Sequence, residues 1–65
     1  PFKGLNMKFN TRVNGIPCIC DMVLFHTKED FEYILYDRKG YRAKWLDVYI
    51  TYEVEQRLLK EYLEQ

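Results

Sequence analysis

The sequence predicts an α+β domain: an antiparallel β-meander of three to four strands with one C-terminal α-helix packed on one face. Three observations lead there. Residues 5 to 13 alternate apolar and polar side chains without a break, Asn14-Gly15 follows them, and residues 52 to 65 carry apolar side chains at helical spacing.

In the first strand Leu5, Met7, Phe9, Thr11 and Val13 share one side, and Asn6, Lys8, Asn10 and Arg12 the other. Asn14 and Gly15 both tolerate the positive φ of a type I′ turn, whose twist suits the strands it joins. A two-residue turn fixes the register. Val13 then faces Ile16, Thr11 faces Cys18, Phe9 faces Cys20, Met7 faces Met22 and Leu5 faces Leu24, all on one uncharged side, while Lys8 falls opposite Asp21. The second strand runs from Ile16 to about His26, and Thr27 to Asp30 form a polar loop.

The third strand, Phe31 to Asp37, continues the alternation, with Phe31, Tyr33 and Leu35 on the apolar side and Glu32, Ile34 and Tyr36 on the other. "DRKG" predicts a type I turn with Gly40 left-handed, a three-residue loop. A fourth strand would set Ala43 opposite Leu35 and Trp45 opposite Tyr33, so that the meander spans residues 5 to 45. Residues 46 to 50 are open to strand or to an irregular crossing. Thr51 is the expected N-cap of a helix over 52 to 64, with Glu53 and Glu55 at its positive end. Val54, Leu58, Leu59, Tyr62 and Leu63 form its apolar stripe, and Glu53–Arg57, Arg57–Glu61 and Lys60–Glu64 its solvent-side pairs.

At 65 residues the chain is one domain, close to the size at which a core needs help from a partner, a metal or disulfides. Ten basic residues balance ten acidic ones, so no bulk field draws it to nucleic acid or membrane. The balance hides an asymmetry: residues 1 to 45 hold eight basic and five acidic side chains, and residues 46 to 65 hold two and five. No apolar run reaches membrane-spanning length and no secretory leader is visible, so the expected location is the cytoplasm. "MKFN" from Met7 reads as a natural start, which makes residues 1 to 6 an expected expression remnant.

Chemistry is sparse. Cys18 and Cys20 lie about 6.5 to 7 Å apart along one strand, too far and too parallel for an easy disulfide. They could share a metal with His26 or Asp37, but zinc wants four ligands and both thiols sit in an apolar row, so they are read as structural, which also suits a reducing compartment. His26 lacks a placed partner for general base work and reads as a surface or capping residue. The chain has no serine and no glycine-rich phosphate loop. No catalytic residue, cofactor or metal site is expected.

One helix covers one face of a sheet. The other face is expected to gather Ile19, Val23, Phe25, Ile34 and Tyr36 inside a rim of Lys8, Arg12, Arg42 and Lys44, the anatomy of a protein interface. Alternatively the sheet curls and uses those residues as a second small core. The expected function is therefore that of a non-enzymatic interaction module, self-associating, with a dimer the leading state, or binding a host protein. The rival reading is single-stranded nucleic-acid binding by "YDRKGYRAKW", where Arg38, Lys39, Arg42 and Lys44 interleave with Tyr36, Tyr41 and Trp45. Against it stand the zero net charge and the core-side parity of Tyr41 and Trp45.

"VNGIPCICDMV", "FEYILYDRKGYRAKWLD" and "EQRLLKEYLE" together resemble short proteins encoded by bacteriophages and prophages, with a similar NGIPC hairpin, a DRKG stretch, a tryptophan-leucine pair and a terminal helix. The resemblance spans nearly everything from Met7 onward. It departs in the loop between the second and third strands, short and polar here where the group carries a longer proline-rich insertion. It implies a phage or viral origin and action inside an infected bacterium, and assigns no residue a role.

Overall fold

The computed structural model describes residues 6–25 and 30–65. Strands β1 (Asn6–Val13), β2 (Ile16–Leu24) and β3 (Phe31–Tyr36) form an antiparallel sheet in the order β1-β2-β3. A 3₁₀ segment, η1 (Lys44–Tyr49), and helix α1 (Tyr52–Leu63) follow. The fold is α+β, an open meander with one C-terminal helix.

The β1–β2 hairpin matches the register expected from the turn. Asn14 and Gly15 have φ of 53° and 77°, and Val13 pairs with Ile16, Thr11 with Cys18, Phe9 with Cys20 and Met7 with Met22. Lys8 lies opposite Asp21. The second strand ends at Leu24, with Phe25 already outside it, short of the expected end near His26; the expected Leu5–Leu24 pair and the loop from Thr27 to Glu29 fall outside the described residues. Pro17 is harmless in β2: its nitrogen points away from β1, and β3 ends before reaching it.

The DRKG loop closes on Asp37. Its carboxylate accepts the Lys39 and Tyr41 amides at 2.9 Å each, and its own amide donates to the Tyr41 carbonyl at 2.8 Å. Gly40 takes the left-handed conformation, φ 96°. The fourth strand, however, does not form. Its register begins as expected, with one bridge between Tyr36 and Arg42 and a bond from the Ala43 amide to the Leu35 carbonyl, and then the chain winds into η1. Winding moves Leu46, three residues after Ala43, into the core at 0% exposure and turns Trp45 outward at 56%. A strand would have done the reverse.

Thr51 caps α1 as expected, its hydroxyl accepting the Val54 amide at 3.2 Å. Leu58 and Tyr62 are buried, Val54 and Leu59 half-buried, but Leu63 is 62% exposed and leaves the stripe, although its neighbour Tyr62 in the same turn faces the core. The buried set is Phe9, Val13, Cys18, Cys20, Met22 and Leu35 from one side of the sheet, joined by Ala43, Leu46, Leu58 and Tyr62. None of it comes from the opposite side. The sheet does not curl into a second core among the described residues.

Candidate functional site

Strand parity delivers the second face. Opposite β1's Asn6, Lys8, Asn10 and Arg12 lie Val23, Asp21, Ile19 and Pro17, and across β2 Ile19 meets Tyr36, Asp21 meets Ile34 and Val23 meets Glu32. Phe25 continues the row, its amide donating to the Asp30 carbonyl at 2.9 Å. Ile19, Val23, Phe25, Ile34 and Tyr36 thus form a zigzag down β2 and β3. Ile34 is 39% exposed, the other four are half-buried, and no described element lies over them.

Polar groups divide this face. Lys8 and Arg12 stand exposed on β1, while Asp21 and Glu32 flank the apolar zigzag and, with Asn6, Val23 and Ile34, line a shallow depression of about 470 Å³. Arg42 sits beside Tyr36 and reaches Asp47 at 4.0 Å; Lys44 belongs to the first turn of η1. The face therefore offers both signs of charge around one apolar strip.

The basic-aromatic segment is placed differently from expectation. Arg38 and Lys39 occupy the hairpin tip, and Tyr41 and Trp45, assigned core-side parity from the sequence, are 69% and 56% exposed. Val48, Tyr49 and Tyr52 are exposed as well, so η1 and the start of α1 carry an outward apolar ridge. Sequence reasoning missed that ridge because it ran strand parity through a segment that winds. Ala43, Leu46 and Ile50, spaced three and four apart, are the signal that would have exposed the error.

On the covered face the thiols are buried and unoxidised. Burial pushes the Cys18 thiol above its ordinary range and, with the neighbouring Cys18 and Asp21, pushes Cys20 up to about 12, which favours the protonated thiol at both positions near neutral pH. Burial, helped by the 2.7 Å hydrogen bond it donates to Glu55, likewise raises the Tyr33 phenol. Arg57 and Glu61, expected to pair in solvent, instead fasten α1 to β1. Arg57 donates to Glu61 at 2.9 Å, to the Thr11 hydroxyl at 3.3 Å and to the Arg12 carbonyl at 2.7 Å, and Thr11 donates to Glu61 at 2.6 Å. His26 lies outside the described residues.

No described helix is long and apolar enough to cross a membrane. Comparison with protein-family models, curated proteins and solved structures finds no match to the chain.

Proposed function

We propose that this chain is a non-enzymatic interaction module whose partner docks on the open face of its sheet, a second copy of the chain being the first such partner. One observation carries the reading: Ile19, Val23, Phe25, Ile34 and Tyr36 run together down a face that nothing described covers. A twofold pairing of this face is self-complementary, since Lys8 and Arg12 of one copy can meet Asp21 and Glu32 of the other around a shared apolar centre. The small core gives a further reason for a partner. The resemblance to phage-encoded proteins fits a module of this kind acting in the cytoplasm of an infected bacterium, where a host protein would take the place of the second copy.

Sedimentation over a concentration series tests this. Wild-type protein is expected to shift toward a dimer, and Ile34→Asp to remain monomeric and folded, with an unfolding midpoint only modestly below that of dilute wild type, because Ile34 takes no part in the buried core while the new carboxylate lies opposite Asp21. A wild-type chain that stays monomeric at every concentration, and whose capture of host proteins is unaffected by Ile34→Asp, refutes the assignment of this face.

A second reading has one observation in its favour. Tyr41 and Trp45 face solvent beside Arg38, Lys39, Arg42 and Lys44, the combination that holds single-stranded nucleic acid by stacking and phosphate contact. It predicts retention of labelled oligonucleotides that falls with added salt and with Trp45→Ala. Absence of retention at low ionic strength removes it.

A further inference from the structure

At the turn end of the β1–β2 hairpin lies an open depression of about 590 Å³, distinct from the sheet's apolar zigzag. Arg12, Arg38 and Arg57 line it, as do Asn10, Thr11 and Glu61. Three guanidinium groups against one carboxylate leave a local surplus of positive charge in a chain whose net charge is zero.

The surplus is arranged for recognition. Arg57 is held by the Arg12 carbonyl, the Thr11 hydroxyl and Glu61, so its plane is fixed before any ligand arrives. The opposing charge of Glu61 is already engaged by Arg57 and Thr11. Among the described residues the Arg12 guanidinium makes one bond, to the Gly15 carbonyl at 3.1 Å, and Arg38, exposed in the turn after β3, has no hydrogen-bond or ion-pair partner. A fixed arginine, two with donors to spare and a side-chain amide on one concave surface match the oxygens of a tetrahedral oxyanion, which guanidinium forks bind bidentately. The space exceeds what a bare ion fills and falls within the range of small-molecule sites.

We propose that this depression is a binding site for a phosphate group, carried as inorganic phosphate or on a small phosphate monoester, with Arg12 and Arg38 grasping the oxygens and Arg57 backing them. The inference goes beyond the protein-docking face, with which it shares only Arg12.

The test is a titration of isotope-labelled full-length chain with sodium phosphate, and separately with adenosine monophosphate, at ionic strength matched by chloride, read from amide shifts. Saturable shifts confined to Asn10, Thr11, Arg38 and Arg57 are expected with both. Tighter binding of the monophosphate identifies an organic ester as the preferred form, and equal binding identifies the free ion. Arg38→Ala should weaken either by about tenfold or more, the loss of one charge-assisted bidentate contact, whereas Lys39→Ala, which removes the same charge outside the depression, should leave it unchanged. The amide spectrum of each variant reports its fold directly. Shifts that do not saturate, that chloride reproduces, or that Lys39→Ala weakens as much as Arg38→Ala would overturn the site.

Discussion

Arg57 joins two elements that share no sequence neighbourhood. Its bonds to the Arg12 carbonyl and Thr11 hydroxyl tie the middle of α1 to the outer strand of the sheet. Replacing it with alanine leaves the Arg12 carbonyl to water and Glu61 with Thr11 alone. Because the site is partly open to solvent, the expected loss is about 1 kcal/mol in urea unfolding, with a larger loss only if those groups stayed buried. An unchanged urea midpoint would show the tie to be incidental.

The thiols and Tyr33 add a pH dependence. Both are acids whose neutral form the fold favours, so their folded pKa values lie above the unfolded ones, 9.0 for Cys20 and 10.0 for Tyr33. The unfolded chain loses these protons first as pH rises, which makes stability complete below pH 9 and eroded from there through about pH 12. Thermal unfolding midpoints should fall across that window, with a shallower slope in Cys20→Ala than in wild type. A flat profile from pH 9 to 11 would contradict the burial of these groups.

Among elements, η1 decides how the core closes. Leu46 fills space that a fourth strand would have left to Trp45, so Leu46→Ala should cost about 2 to 5 kcal/mol, as buried leucines do. Val48→Ala, two residues away and facing water, should change stability by less than about 0.5 kcal/mol. Equal effects at the two positions would argue for strand rather than 3₁₀ geometry.

How far each element was legible follows from the range of the forces that set it. The first hairpin depends on Asn14-Gly15 and on strict alternation, both local, and its register could be written from the sequence to the residue. Thr51 and the stripe at Val54, Leu58 and Tyr62 are equally local signals of α1. The path after Arg42 is not local. There the strand competes with a wound segment, and the outcome depends on which of Leu46 and Trp45 better fits the space beneath Leu58 and Leu35, a question of packing volume. Leu63 and the Arg57 tie escaped for the same reason: which side chains of the helix meet the sheet is decided by how the two cross, which is tertiary information.

For the whole molecule, the decisive feature is that six buried side chains from three strands point one way. One helix and a 3₁₀ segment cover that side, and the chain has no described element left for the other. The open face was legible because it follows from parity once the hairpin register is known. What would dock there depends on chemistry outside the chain; the charges at Lys8, Arg12, Asp21 and Glu32 are the reason a second copy is the occupant proposed above.

The most direct measurement uses an inert paramagnetic chelate in solution, with methyl signals followed as protein concentration is raised. In dilute protein the methyls of Ile19, Val23 and Ile34 should be strongly relaxed while those of Val13 and Leu35 are shielded, and at high concentration the first group should become shielded too. If Ile19, Val23 and Ile34 are already protected in the dilute monomer, or stay fully relaxed when the chain self-associates, the open face is not where this protein meets its partner.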